Sequence, residues 1–179
     1  MRRYRGMDFR TRQDRGVTAA ADRDRFLRFY DAAVDPLYRY LHRATVGDRA
    51  LAEDIAQDVF AAALQQARAG HDEVLTTEWV ITVGRNRLVD HWRRVERENR
   101  RLSRFRTEDE TVSREIGEPQ TMLRALPPMQ RAAVWLRYID DLPVEQVAQQ
   151  LGKGHKATES LLSRARCALR QAGGVDNVG

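Results

Sequence analysis

The 179-residue chain has one cysteine and no long apolar run, and these two shortages exclude several classes of protein. Its single thiol, Cys167, cannot form a disulfide within the chain or build a cysteine-based zinc site. No segment approaches the ~18 consecutive apolar residues of a membrane-spanning helix. Residues 1–16 are charged but lack the apolar segment of a signal peptide. We therefore expect no membrane insertion and a cytoplasmic location.

The chain also lacks the motifs of enzymes that act on nucleotides or nucleic acids. It has no glycine-rich phosphate loop, no HExxH spacing and no arrangement of a nucleophile with a base. Glu53 and Asp54 bring two carboxylates together, but no histidine joins them at the spacing of metal ligands. We expect no catalytic residue, no metal site and no cofactor.

What the chain does have is charge arranged in blocks along a sequence of net charge +5. Residues 1–23 carry a net charge of +4, residues 24–84 carry −4, residues 85–106 carry +6, residues 107–123 carry −4 and residues 124–170 carry +4. Basic segments separated by acidic ones predict two contacts with nucleic acid and an acidic surface for a different partner.

Apolar residues recur with helical spacing through most of the chain, so the predicted fold is all-α. We expect two small helical domains, over residues 22–98 and 120–172, joined by a flexible acidic linker over residues 99–119 that has no apolar face. Residues 1–21 are expected to form a disordered basic arm, and residues 173–179 a tail.

Helix boundaries in the first domain are marked by three residue types. Asp48 is placed to cap the helix that follows it, and Gly70 to end that helix. Pro36 predicts that the preceding helix either kinks or restarts with Asp35 as its cap.

The helix predicted over residues 48–69 has an acidic outer face beside an aromatic residue. This face is made of Glu53, Asp54, Gln57 and Asp58, with Phe60 next to it. It is either a plain solvated surface or a docking surface for a basic partner, with Phe60 as an apolar anchor.

Residues 76–94 form a helix-length stretch with one apolar face and one face suited to a polyanion. Val80, Gly84 and Leu88 project to the first face. The second face carries Trp79, Asn86, Arg87, Asp90, Arg93 and Arg94. Arginine contacts phosphates, asparagine pairs with base edges, and an exposed tryptophan stacks on an unpaired base. Trp79 has the alternative of packing in the core.

The loop of residues 70–77, which contains His71 and Asp72, leads into this helix. Its position suits it to receive an everted base, although such a loop can also simply turn the chain.

In the second domain, a short helix, a glycine-bearing turn at residues 152–155 and an arginine-rich helix over residues 156–170 follow one another. This order is typical of a helix-turn-helix, although a plain helical hairpin gives a similar pattern.

Four segments resemble the extracytoplasmic-function class of bacterial sigma-70-type sigma factors. AEDIAQDVF, residues 52–60, is similar to region 2.2 of the family, and WVITVGRNRLVDHWRR, residues 79–94, to regions 2.3 and 2.4. Residues 126–152 resemble region 4.1 and the start of region 4.2, and ATESLLSRARCALR, residues 157–170, resembles the recognition helix.

The resemblance implies a promoter-specificity subunit of RNA polymerase that is not itself an enzyme. It places core-polymerase docking, on the clamp helices of the beta-prime subunit, at Asp54, Gln57, Asp58 and Phe60. It places recognition of the minus-10 element at His71, Asp72, Trp79, Asn86, Arg87, Asp90, Arg93 and Arg94. It places recognition of the minus-35 element at Lys156, Glu159, Ser160, Ser163 and Arg164. The implied partners are core RNA polymerase, including the beta-subunit flap, promoter DNA and an anti-sigma factor.

The chain departs from the family pattern at the turn and at the start of the recognition helix. The departures are Lys153, Lys156, Thr158 and Glu159. They predict a looser turn and an altered minus-35 preference, because a glutamate favours the amine of cytosine over the edge of guanine.

Three other functions stay open on the sequence. An autonomous helix-turn-helix regulator would leave the first domain without a task, and an enzyme acting on nucleic acid would lack its motifs. A regulator that binds polymerase without reading promoters is harder to exclude, but the arginines of residues 85–94 argue against it.

Overall fold

The computed structural model describes residues 10–102 and 119–172, and within these ranges the chain is helical and contains no β-strand. The seven α-helices are α1 (Arg10–Ala44), α2 (Arg49–Arg68), α3 (Thr77–Leu102), α4 (Pro119–Arg124), α5 (Pro128–Val134), α6 (Val144–Leu151) and α7 (His155–Ala172). A short 3-10 turn, Asp72–Val74, precedes α3, and one π-helical turn, Trp135–Ile139, extends α5. The all-α prediction is confirmed. None of the described helices is long and apolar enough to cross a membrane.

The first helix is longer than the sequence predicted. Because α1 begins at Arg10, the prediction of a disordered arm over residues 1–21 is wrong for residues 10–21. Three consecutive alanines at residues 19–21 and several arginines favour helix without any apolar period, which is why the pattern missed it. Residues 1–9 lie outside the described residues.

Pro36 lies inside α1, which does not restart at this position. A proline in a helix interior is costly, because it lacks an N–H donor and crowds the preceding turn. Here Ala33, Leu37 and Leu41 on the same helix are all fully buried. Tertiary packing on both sides of Pro36 therefore holds a helix that local propensity alone would interrupt.

Both ends of the predicted linker are helical. Helix α3 continues to Leu102, supported by a salt bridge of 3.0 Å between Glu96 and Arg100 one turn apart, and α4 begins at Pro119. The intervening residues 103–118 and the predicted tail, residues 173–179, lie outside the described residues. The domain boundaries therefore stay a prediction.

The predicted boundaries of α2 are confirmed. The backbone N–H of Leu51 donates to the Asp48 carboxylate at 3.1 Å, which satisfies one of the free donors at the helix start. Gly70 follows the C-cap with a φ of +80°, a conformation that glycine adopts without a steric penalty.

Helix α3 packs closely against α1 and α2 in the core of the first domain. Val59, Val80 and Leu88 are almost completely buried there. A Cβ atom on Gly84 would lie 2.9 Å from Leu37 Cδ1, so the absence of a side chain at this position allows α1 and α3 to approach. The second domain is built on α5, α6 and α7, and α3 also packs against α5 and α6.

Gly84 provides a test of this packing. Gly84→Leu is expected to lower the free energy of unfolding by about 1–3 kcal/mol, because the added side chain has no room beside Leu37. The free energy of unfolding of Gly84→Ala should stay near that of the parent. Alanine gains about 1 kcal/mol in helix propensity over glycine, and this gain offsets the cost of a small shift of the Leu37 methyl group. Urea unfolding followed by circular dichroism measures both. Gly154→Ala, which meets no atom within 4 Å, is the control, and a Gly84→Leu variant as stable as the parent would contradict the proposed contact.

Candidate functional site

An open cleft between α2 and α3 brings together two groups of residues predicted to bind different partners. One wall comes from α2 and the other from α3. The lining residues are Leu51, Asp54, Ile55, Gln57, Asp58, Arg87, Asp90, His91, Arg94 and Arg97. The predicted docking face and the predicted minus-10 face are therefore neighbours, with carboxylates concentrated on one wall and guanidinium groups on the other.

The acidic wall follows from the register of α2. Ile55 and Val59 are buried against the first-domain core, which leaves Asp54, Gln57 and Asp58 exposed on the outer side. Because α2 turns once in 3.6 residues, these three side chains share one surface. Their carboxylates and amide are free to meet a partner of opposite charge.

Phe60 is less available than its neighbours. Its ring lies 4.6 Å from the Tyr30 ring and 6.4 Å from the Phe29 ring, centroid to centroid, and it packs against the core. These contacts join α1 to α2. Phe60 therefore stabilises the packing of the two helices, and only its exposed edge is left for a partner.

The basic wall contains three of the six predicted α3 residues: Arg87, Asp90 and Arg94. Asn86, Arg87, Asp90 and Arg94 are exposed. Arg93 is directed elsewhere: it forms a 2.9 Å salt bridge with Asp90 and donates to the backbone carbonyl of Gln150 in α6. The structure thus separates Arg93 from Arg94 and places Arg93 against the second domain.

Trp79 and the loop before α3 lie away from this cleft. Eight residues of helix, about 12 Å at ~1.5 Å per residue, separate Trp79 from Arg87, the first α3 residue of the cleft. Trp79 is half-buried and packs against the core, which supports the packing alternative. Asp72 accepts from Arg25 of α1 at 2.9 Å, and His71 Nδ1 lies 3.1 Å from Gln66 Oε1 of α2. Both loop residues therefore anchor the loop to neighbouring helices.

In α7 all the residues predicted to read the minus-35 element share one exposed face: Lys156, Glu159, Ser160, Ser163 and Arg164. The opposite face, which includes Thr158, Leu161 and Ala165, is buried. His155 at the start of α7 lies between two carboxylates, 3.2 Å from Glu145 and 3.4 Å from Glu159. The Glu159 carboxylate therefore lies next to the first residue of the helix.

The turn between α6 and α7 is closed by hydrogen bonds despite its unusual residues. The N–H of Lys153 donates to the Ala148 carbonyl at 2.9 Å, and Gly152 has a φ of +58°. On the other side, Thr158 Oγ1 donates to the Gly154 carbonyl at 3.1 Å. The looser turn expected from Lys153 and Thr158 is therefore not observed.

Sequence reasoning missed a polar cluster formed by four residues from three distant parts of the chain: Tyr40, Arg85, and the pair Trp135 and Asp140. Asp140 accepts hydrogen bonds from Arg85 Nε at 2.8 Å and from the Tyr40 hydroxyl at 3.0 Å. Trp135 Nε1 donates to the Tyr40 oxygen at 3.1 Å. Burial raises the pKa of the Asp140 carboxyl against the opposing effect of Arg85, and burial also raises the pKa of Tyr40. No local spacing in the sequence predicts such a cluster, because Arg85 and Tyr40 are 55 and 100 positions from Asp140.

In the described part of the chain, no group of three His, Cys, Asp or Glu residues is placed to hold a metal ion. The cleft residue His91 has its pKa lowered, first by burial and then by the positive charge of Arg94, whose guanidinium lies 3.2 Å from His91 Nδ1.

Comparisons with known proteins agree for both halves of the chain. Residues 29–98 match the model of the family described as Sigma-70 region 2, and residues 119–169 that described as Sigma-70, region 4. Together the two matches cover about two thirds of the chain.

Curated relatives carry the description ECF RNA polymerase sigma factor. BldN of Streptomyces coelicolor is 29% identical over 168 residues, which cover 82% of this chain and 59% of BldN, so the chain spans less than two thirds of that relative. SigL of Mycobacterium tuberculosis is 29% identical over 169 residues, covering 85% of this chain and 90% of SigL. Among solved structures, the sigma factor RpoE of Bartonella quintana, crystallised with the anti-sigma factor NepR, superposes with a TM-score of 0.50. That match has 21% identity, covers 85% of this chain and 98% of RpoE, and concerns the fold alone.

The lowered pKa of His91 gives a prediction for the cleft. In the folded protein His91 should titrate below the ordinary value of about 6.5, and Arg94→Gln should raise its midpoint by removing a nearby positive charge. Because folding disfavours the protonated imidazole, the contribution of His91 to stability should fall as the pH drops through 6.5. NMR titration of the imidazole signals measures the midpoint. Arg101→Gln, at an exposed position further along α3, is the control, and a midpoint at or above 6.5 in the parent would contradict the geometry of this wall.

Proposed function

We propose, from the premise that this chain belongs to the extracytoplasmic-function class of the sigma-70 family, that it acts as an alternative sigma factor. It binds core RNA polymerase and directs transcription initiation to promoters with particular minus-35 and minus-10 elements. The observation that carries this proposal is the presence of both family regions, in order, on one chain whose α3 and α7 each present an exposed polar face. The chemistry of RNA synthesis then belongs to the polymerase, and the protein works beside it in the cytoplasm.

In the first domain, the acidic wall of the α2–α3 cleft docks on the clamp helices of the beta-prime subunit. Asp54, Gln57 and Asp58 are exposed and share one surface, which suits them to a basic helical partner. The exposed edge of Phe60 extends this surface with apolar area.

The opposite wall meets the minus-10 element. Arg87 and Arg94 contact phosphates, and Asn86 pairs with a base edge. Separating the strands costs a few kcal/mol for each unstacked base step. Side chains that bind only the separated strand offset this cost. His71 and Asp72 can take part in this function once the loop leaves its contacts with Gln66 and Arg25, and Trp79 through the part of its ring that is exposed.

In the second domain, α7 enters the major groove of the minus-35 element with Lys156, Glu159, Ser160, Ser163 and Arg164. The rest of this domain meets the beta-subunit flap. Each DNA contact is small, but two weak modules fixed on one large partner gain affinity through effective concentration. Neither domain has to bind DNA tightly by itself.

An anti-sigma factor is proposed as a further partner, because the structurally similar RpoE of Bartonella quintana was crystallised with one. The relatives BldN and SigL are sigma factors, so they give no support to an autonomous helix-turn-helix regulator.

The docking surface is tested by a double substitution. Asp54→Ala with Gln57→Ala should weaken binding to core polymerase by about tenfold or more, because central interface residues often contribute over 1 kcal/mol each. Fluorescence anisotropy of labelled protein measures the affinity. Asp31→Ala with Gln65→Ala, which changes the same residue types at exposed positions outside the cleft, is the matched control. Undiminished affinity of the Asp54/Gln57 variant with unchanged helicity would count against this surface.

The function itself is tested by in vitro transcription on a promoter library with randomised minus-35 and minus-10 segments. We expect discrete start sites that require both core polymerase and this protein. Core binding without initiation would indicate a regulator that no longer reads promoters, and tight duplex binding without core binding would indicate an autonomous regulator.

The same library tests Glu159 as a base reader. Glu159→Arg should shift the preferred minus-35 sequence from cytosine towards guanine at one position while initiation from an optimal minus-10 element is kept. Glu145→Arg, which also removes a carboxylate beside His155, is the control for effects on the turn. An unchanged minus-35 base preference would show that Glu159 does not contact the bases.

A further inference from the structure

His155, the first residue of α7, lies between two carboxylates that belong to different helices. Its Nε2 atom is 3.2 Å from Glu145 Oε1, in the first turn of α6. Its Nδ1 atom is 3.4 Å from Glu159 Oε2, one turn further along α7. We call these three residues the clamp. It connects the start of α6 to the start of α7 through side chains alone.

Among the residues proposed to read the minus-35 element, Glu159 is the one that the clamp contains. The Ser160 hydroxyl donates to the Lys156 carbonyl at 2.9 Å, and Arg164 Nε donates to the Ser160 carbonyl at 3.3 Å, so these contacts stay within α7. Glu159 is instead linked through His155 to α6. Its side chain is nevertheless 58% exposed, so its carboxylate stays accessible to DNA.

The clamp leaves one carboxylate oxygen of Glu159 for a base. The contact with His155 uses Oε2, and a carboxylate accepts hydrogen bonds at both of its oxygens. Oε1 can therefore accept from the exocyclic amine of cytosine, the base that a glutamate favours. A long side chain that is already held in place also loses less rotamer freedom when it binds.

A carboxylate that approaches DNA is repelled by the phosphates, and the clamp reduces this repulsion. The duplex carries one negative charge for about every 1.7 Å of its axis. A positive imidazolium beside Glu159 offsets the charge of that carboxylate before DNA arrives. The helix dipole disfavours a cation at the start of α7, so the imidazolium depends on the two carboxylates beside it.

The geometry of the clamp fits the protonated ring of His155. Only an imidazolium has an N–H on both nitrogens, whereas a neutral ring would turn a lone pair towards one of the two carboxylates. Histidine side chains in general change their charge between about pH 5 and 8. The clamp is therefore complete in mildly acidic solution and loses one contact as the pH rises.

The other charged groups near the clamp are cations that contact different partners or none. Lys153 in the turn and Lys156 in α7 form no ion pair with any residue that the structure describes. Arg93 of α3 pairs with Asp90 and donates to the Gln150 carbonyl. The ionised groups in contact with the His155 ring are thus the two carboxylates.

We propose that His155 is a positioning residue for base recognition, whose protonated ring holds the Glu159 carboxylate in the pose that reads cytosine in the minus-35 element. This inference rests on the proposed function. It makes the minus-35 preference depend on pH, with cytosine favoured most strongly in mildly acidic solution. Ion pairs between exposed groups contribute little to stability, so the clamp acts on recognition rather than on folding.

The proposal is tested with core polymerase and the full-length protein on the promoter library, at about pH 6 and about pH 8. The measured quantity is the ratio of initiation with cytosine to initiation with guanine at the position that Glu159→Arg changes. Because both promoters are transcribed in one reaction, a general effect of pH on the polymerase cancels. In the parent we expect this ratio to be about two- to fivefold higher at the lower pH.

Substitutions at His155 separate its charge from its mere presence. His155→Gln is neutral and should give the low ratio at both pH values. His155→Lys keeps a positive charge and should give the high ratio at both. In a Glu159→Gln background, His155→Gln should have no further effect, as expected of a residue that acts through Glu159. His42→Gln, at an exposed position of α1, is the matched control and should keep the pH dependence of the parent.

Each outcome decides the proposal. A parent ratio that is the same at both pH values would overturn the clamp, and so would a further effect of His155→Gln in the Glu159→Gln background. If circular dichroism shows that His155→Gln has lost helicity, His155→Lys decides, because a ratio that still rises on acidification there would also overturn it. An unchanged preference in Glu159→Arg would remove both Glu159 and the clamp from recognition. Start sites that do not require this protein would instead overturn the proposed function itself.

Discussion

The packing of α3 between two sets of helices is the constraint on which the rest of the structure depends. One face of α3 is buried against α1 and α2 around Gly84, and α3 also packs against α5 and α6, where Arg93 donates to the Gln150 carbonyl. Only the remaining arc is exposed, and it carries Arg87 and Arg94. The position of the proposed minus-10 contacts is thus fixed by what the other two faces of the helix must bury.

The charged side chains on the exposed surface of α3, which carries Arg87 and Arg94, are available to a partner. Salt bridges at the exposed surface of a helix are of a kind that contributes ~1 kcal/mol or less. A phosphate can replace such a carboxylate at little cost. The buried pair of Arg85 and Asp140 differs, because a group that loses its partner at this position is left as an unpaired buried charge until water reaches it. Surface pairs can therefore exchange partners with a ligand, whereas the buried pair can do so only if water first reaches it.

Features with a local cause were predictable from the sequence. The Asp48 cap, the Gly70 terminus and the alternation of buried and exposed residues in α2 and α7 each follow from residue types within one or two turns. The helical state of residues 10–21 and the continuity of α1 through Pro36 were not predicted, because propensity and tertiary packing outweighed the local signals. The contacts of Asp140 with Arg85 and Tyr40 join residues 55 and 100 positions apart, and no periodic pattern encodes a pairing at that separation. For the same reason the sequence placed Arg93 beside Arg94, whereas the fold directs Arg93 to α6.

The two-sided character of α7 bears on how this protein can change over evolutionary time. Ser163 and Arg164 project from the exposed face and make no contact that the core requires, whereas Leu161 and Leu162 on the opposite face are buried. Exposed substitutions of this kind usually alter stability by less than ~0.5 kcal/mol. If α7 reads the minus-35 element as proposed, a gene duplicate could therefore acquire a new set of target promoters through a few substitutions on one helix face while keeping its fold and its polymerase.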